Sequence, residues 1–182
     1  MEFLMPYPTD AWARIDAYTS PSFSKDGSRI FHLRGAGLAQ LWVMDADGGQ
    51  ARQITQFNEK VSIIRRAPND DRVIVAIDAG GDERHQFHLV SLDGTISDLT
   101  PAPGVIHDFG GWSPDGERIA YSANDRDERV FDVLIREIAS GAVTQVLEGH
   151  GQLSVCGWNG NRLAVIEDHS SSDQRLWVID LE

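Results

Sequence analysis

Leu41-Trp42-Val43-Met44-Asp45 is a strand-like run that returns three times: as Phe87-His88-Leu89-Val90-Ser91, Val133-Leu134-Ile135-Arg136-Glu137 and Leu176-Trp177-Val178-Ile179-Asp180. The successive intervals are 46, 46 and 43 residues. Self-similarity at about 40–45 residues marks β-propeller blades. A turn precedes each run and fixes the register: Ser24-Lys25-Asp26-Gly27, Ala67-Pro68-Asn69-Asp70, Ser113-Pro114-Asp115-Gly116 and Asn159-Gly160. The chain therefore reads as all-β, a partial β-propeller of four antiparallel blades of about 45 residues each.

Within each repeat the order is four short strands, A to D, joined by Asp, Asn and Gly turns. The blades fall at about 21–60, 61–106, 107–152 and 153–182, and the last lacks its outer strand because nothing strand-like follows Asp180. Residues 1–20 form a lead-in. There Thr9 to Tyr18 carries an N-cap candidate and apolar residues at Trp12, Ile15 and Tyr18, a spacing that predicts a short helix. Trp42 and Trp177 occupy equivalent C-strand positions, and Trp112 and Trp158 equivalent A-strand positions with Phe23. Recurrence in register assigns these five aromatics to packing between blades rather than to a ligand cage.

Composition narrows the partners. Sixteen Lys and Arg against 28 Asp and Glu give a formal net charge of −12, which repels phosphate backbones and anionic lipid, so neither nucleic acid nor membrane is expected. One cysteine, Cys156, excludes an internal disulfide and reads as a buried thiol in an apolar strand. The opening Met1-Glu2-Phe3-Leu4-Met5-Pro6 has no basic region and no long apolar run, so the chain is expected in the cytoplasm.

The blade signature Trp112-Ser113-Pro114-Asp115-Gly116, with its variant Phe23-Ser24-Lys25-Asp26-Gly27, resembles the WD-like repeat of the Tol-Pal propeller and of the prolyl oligopeptidase family. Ile15-Asp16-Ala17-Tyr18 leading into Pro21-Ser22-Phe23-Ser24, then Gln40-Leu41-Trp42-Val43, Arg52-Gln53-Ile54-Thr55, Asp78-Ala79-Gly80-Gly81-Asp82-Glu83-Arg84 and Phe109-Gly110-Gly111-Trp112 are similar to the N-terminal propeller of its acylaminoacyl-peptidase and dipeptidyl-peptidase branch. The resemblance implies a serine peptidase whose propeller, usually of about seven blades, covers an α/β-hydrolase domain. This sequence holds no Gly-x-Ser-x-Gly nucleophile elbow, so no catalytic residue is carried over. The expected role is a non-catalytic gating segment that selects peptides, and its partners would be peptides or the hydrolase domain. The alternative is a free-standing interaction propeller that binds a partner through its loop rim.

Three constellations remain. Ser154 or Ser170-Ser171-Ser172 with His150 or His169 lack the strained turn that activates a nucleophile. His85 and His88, three apart on a strand, point to opposite faces, so no metal or cofactor is expected there. Asp78, Asp82, Glu83, Asp125, Asp127, Glu128, Asp168 and Asp173 lie in B–C connections and give one electronegative rim. A solvated surface that keeps an acidic protein soluble is the favoured reading of that rim, over selection of cationic ligands or a Ca²⁺ cluster. Finally, seven-blade curvature would leave four blades as an open arc. Two arcs would then pair as a dimer, or four blades would tighten into a small ring closed by the N-terminal segment.

Overall fold

The computed structural model describes residues 16–181 apart from 36 and 171. Among them there is no helix, and fifteen strands form four antiparallel sheets. Blade one holds β1 (Tyr18–Phe23), β2 (Arg29–Arg34), β3 (Gln40–Asp45) and β4 (Arg52–Gln53). Blade two holds β5 (Val61–Arg66), β6 (Val73–Ile77), β7 (Gln86–Val90) and β8 (Ile96–Asp98). Blade three holds β9 (His107–Trp112), β10 (Arg118–Asp127), β11 (Val130–Glu137) and β12 (Val143–Leu147). Blade four has only β13 (Gln152–Asn159), β14 (Arg162–Ser170) and β15 (Asp173–Asp180). The helix expected over Thr9 to Tyr18 lies outside the described residues except at its end, where Tyr18 opens β1.

Side-chain chemistry sets the A–B turns. In blade one the Asp26 carboxylate accepts from Ser24 Oγ at 2.7 Å and from the Ser28 N–H at 2.9 Å, while Ser24 Oγ accepts from the Arg29 N–H at 2.9 Å. Gly27 sits at φ 74°. Blade three repeats this with Ser113, Asp115, the Arg118 and Glu117 N–H groups, and Gly116 at φ 74°. Donors converging on Asp26 and Asp115 hold both carboxyls below the usual range, led in Asp26 by the Ser28 backbone N–H and in Asp115 by Ser113. Neighbouring turns are also tied: the Lys25 N–H donates to Asp71 at 3.0 Å and Asn69 Nδ2 to Pro114 O at 2.8 Å.

The core lies between blades, because a sheet this small buries its faces only against a neighbour. Each blade has a forward face toward the next blade and a rear face toward the preceding one. Phe31, Leu33, Leu41 and Val43 on the forward face of blade one meet Val61, Val73 and Val75 of blade two. Ile74, Ala76 and Phe87 of blade two meet Ile119 and Tyr121 of blade three, with Phe109 and Tyr121 edge-on to Phe87 at 5.7 and 6.1 Å. Ala120, Val133 and Ile135 of blade three meet Leu153, Val155, Leu163 and Val165 of blade four. Among the described residues the first and last blades share no core cluster, and the N-terminal segment expected to close a small ring lies outside those residues.

In the first three blades a polar residue just ahead of the C-strand run, buried at Gln40 and Asp132 and half-buried at Gln86, anchors the link to the next blade. Gln40 accepts from the Phe57 N–H at 2.9 Å and from Thr55 Oγ at 3.0 Å, and donates to Glu59 O at 2.9 Å. Gln86 accepts from the Ala102 N–H at 3.0 Å and donates to Val105 O at 3.1 Å. Asp132 accepts from the Gly149 N–H at 2.9 Å. The matching position in blade four is the exposed Arg175.

The aromatic series divides by blade. Trp112 and Trp158 are half-buried against the clusters that join blades two to three and three to four, and the Trp112 indole N–H donates to Arg65 O at 3.1 Å. Trp42 is half-buried on the rear face of blade one, with the Arg34 guanidinium 4.8 Å from its ring centre. Phe23 and Trp177 depart from the packing expected of them. Phe23 is 60% exposed, because it pairs with Ile30 on a rear face that no described blade covers. Trp177 is 40% exposed, because no described strand pairs with the outer side of β15 to shelter it. Cys156 also departs: it is exposed, since the register shift between Val155 and Gly157 makes it the extra residue of a bulge.

Close approach of blades three and four rests on Gly110, where an added Cβ would fall inside the Val155 side chain, whereas one at Gly111 would meet nothing within 4 Å. Gly110→Ala is expected to lower stability by about 1–3 kcal/mol, the usual cost of overpacking. Gly111→Ala should leave the denaturation midpoint nearly unchanged. Equal effects in urea titrations of the two variants would show that the joint is not close-packed at Gly110.

Candidate functional site

The β6–β7 connection turns where Gly80, Gly81 and Glu83 take φ of 63°, 84° and 62°. The Asp78 carboxylate accepts from the Glu83 N–H and the Asp82 carboxylate from the Arg84 N–H, each at 3.0 Å. Two of the expected rim carboxylates thus hold their own loop in shape. Beneath them is a cavity of about 220 Å³, walled by Ile77, Phe87, Pro101 and Pro103. Glu59, Asp78, Asp82 and Asp98 edge it, with Arg84 and His88. Four carboxylates against one guanidinium make the mouth electronegative, so it favours a cationic group on an apolar stem.

His88 orients one wall of this cavity. Its Nδ1 lies 2.8 Å from Asp98 Oδ1, its ring tilts against Phe57 at 5.2 Å between centres, and its buried Nε2 has no hydrogen-bond partner. Asp98 and Glu59 escaped the sequence reading. The signal for Asp98 was its cross-strand pairing with His88, which becomes visible only once β8 is placed beside β7.

The other rim residues lie elsewhere. Asp125 and Asp127 are on β10, which runs further than the sequence suggested, and only Glu128 sits in the turn beyond it. Asp127 pairs with Arg129 at 3.3 Å. Asp168 and Asp173 are on β14 and β15, and Asp168 accepts from Gln174 Nε2 at 2.6 Å. The rim is three separate hairpins, of which the cavity takes in Asp78 and Asp82. Among the described residues no three His, Cys, Asp or Glu side chains converge as metal ligands.

A second cavity, of about 310 Å³, opens between blades three and four and brings His150 and His169 together. Its floor is Glu167, buried in β14, which accepts from the Trp177 indole N–H at 2.9 Å and lies 3.5 Å from His169 Nε2. Neither Ser154, Ser170 nor Ser172 lines it. Nearby, the buried Asp132 receives the Arg126 guanidinium through Nε at 2.9 Å and Nη2 at 2.8 Å. Hydrogen bonds from Arg126 hold its carboxyl below the usual range, against the opposing effect of burial.

No family model and no curated protein matches the sequence. Solved structures do match. A prolyl endopeptidase superposes with a TM-score of 0.72 at 16% identity, over 93% of this chain and 28% of its own. The fold is that of the prolyl-oligopeptidase and TolB-like propellers. TolB from Acinetobacter baumannii gives a TM-score of 0.67 at 14% identity, over 91% of this chain and 41% of its own. An acylaminoacyl peptidase gives 0.65 at 15% identity, over 92% and 32% respectively. The chain spans less than half the length of each of these three, and the peptidases match it in their propeller part alone.

The pH dependence of Asp132 follows from its partners. A carboxyl whose folded pKa is depressed adds stability above its unfolded pKa of about 3.9 and loses it as pH falls through the folded value. Asp132→Ala is expected to cost about 1–3 kcal/mol near neutrality by leaving the buried Gly149 N–H without an acceptor. The gap between parent and variant melting temperatures should narrow steadily below about pH 4. A gap that widens in acid would mean that Asp132 does not carry its charge in the folded chain.

Proposed function

We propose that this chain is a non-catalytic propeller segment that gates and selects substrate for a prolyl-oligopeptidase-type serine peptidase, with the hydrolase domain encoded outside these residues. The observation that carries the reading is the likeness, over 93% of the chain, to 28% of a prolyl endopeptidase, in a sequence without Gly-x-Ser-x-Gly. The acidic cavity under the β6–β7 loop supports the selection role: its carboxylates draw a peptide ammonium and its Ile77 and proline wall accepts the adjoining side chain. The likeness to TolB supports a second reading, a propeller that binds a protein partner through its rim.

The flanking genomic reading frame separates the two. Further blades followed by Gly-x-Ser-x-Gly are expected for the gating segment, and a frame lacking both would favour the interaction propeller. The chain itself is expected to hydrolyse neither acyl-peptides nor p-nitrophenyl esters, because nucleophile, base and oxyanion donors are needed together. Turnover that disappears when a single serine is replaced would overturn the reading.

A further inference from the structure

Glu167 holds a position that blades two and three fill with apolar side chains. Ile77 stands opposite Gln86, Ala123 opposite Asp132 and Glu167 opposite Arg175, at matching places in the register. The packing of a joint therefore asks for no carboxylate here. The Glu167 side chain is 7% exposed, and burying a carboxylate is costly unless it is paired and hydrogen-bonded. Its Oε2 accepts from the Trp177 indole N–H at 2.9 Å and lies 3.5 Å from His169 Nε2. Among the described residues no lysine or arginine forms an ion pair with it, Arg175 included, and its Oε1 has no hydrogen-bond partner.

That carboxylate is in the wall of the cavity between blades three and four, beside Leu147, Leu153 and Trp177. Glu148 lines the cavity as well, 3.7 Å from Arg126 Nη1. His150 and His169 each bring an imidazole, which accepts one hydrogen bond when neutral. Acceptors from four residues thus surround a space with apolar walls, against the exposed guanidinium of Arg175 at its edge. Every one of these groups lies within the joint between blades three and four, whatever follows β15.

We propose that this cavity binds an alkylguanidinium group, the side chain of an arginine in a peptide. The cation supplies the opposite charge that Glu167 lacks and donates to its Oε1 in a charge-assisted hydrogen bond. Leu147 and Leu153 take the aliphatic stem, as apolar surface does for long cationic side chains. Trp177 in the wall suits a planar cation, which stacks on aromatic faces. A guanidinium also carries more N–H donors than an ammonium, in a fixed fork, so it engages more of the acceptors that Glu148, His150, Glu167 and His169 present. The site is separate from the acidic cavity under the β6–β7 loop, and the inference goes beyond the gating role without resting on it.

Titration of the chain with Nα-acetyl-arginine amide, and with its lysine and citrulline counterparts, tests the proposal, because citrulline keeps the shape of arginine without the charge. The Trp177 indole N–H resonance, assigned as the one missing from Trp177→Phe, reads binding at this cavity. The arginine compound is expected to shift that resonance saturably. The citrulline compound should bind at least about tenfold more weakly, the equivalent of one lost charge-assisted hydrogen bond, and the lysine compound more weakly than the arginine one. Glu167→Gln keeps an acceptor for the Trp177 indole while removing the charge; circular dichroism checks its fold, and arginine binding should fall by at least about tenfold. An indole resonance that stays in place while others move would put the cation elsewhere and overturn the site. Equal binding of the arginine and citrulline compounds would do the same even if the variant failed to fold, and undiminished binding by a folded Glu167→Gln would remove the role of that carboxylate. Lysine binding as tight as arginine binding would overturn the preference for guanidinium.

Discussion

Burial between sheets, not within them, is the constraint on which the rest of this structure depends. A three- or four-stranded sheet has two faces and no interior, so its apolar residues leave water only when another sheet lies against them. Phe31, Val75, Phe87, Val133 and Leu163 are all essentially inaccessible, and each reaches that state through a neighbouring blade. The turns, the inter-turn hydrogen bonds and the glycine at the closest approach then set the spacing at which sheets can meet. Stability in such an array is approximately a sum of the terms within each blade and between nearest neighbours.

The candidate cavity inherits its character from this plan. Because β strands carry the packing, the B–C connection of blade two is free to hold carboxylates, and Asp78 and Asp82 use part of their charge to shape the loop they sit in. Structural and functional readings of the acidic rim are therefore not exclusive at these two residues. At Asp127 and Asp168, whose partners lie on the same hairpins, local pairing accounts for the carboxylates.

What the sequence disclosed was what repeats locally. The Ser-x-Asp-Gly turns and the spaced apolar runs are each contained within a few residues, and they located the blades and the open edge of the fourth. What it hid depends on register and on non-local pairing. Cys156 faces outward because one bulge shifts it, a displacement that alternation cannot reveal. Phe23 and Trp112 look equivalent in sequence, yet among the described residues only Trp112 has a preceding blade to lie against. Asp98 was missed because β8 is three exposed residues, Ile96–Asp98, with little strand character until β7 pairs with it.

Gln40, Gln86 and Asp132 carry a consequence for how the chain is made. Gln40 and Gln86 open a third strand and Asp132 lies within one, and each accepts a backbone N–H from the connection that runs on toward the next blade. A polypeptide emerging from the ribosome N-terminal end first would therefore complete these bonds only after the following link had been synthesised. In blade one, Val61 opens the next sheet two residues beyond the Glu59 carbonyl that Gln40 holds. Finishing one blade delivers the first strand of the next to its docking position, so assembly has a built-in direction, and a break inside a link would loosen the blade upstream of it rather than the one downstream.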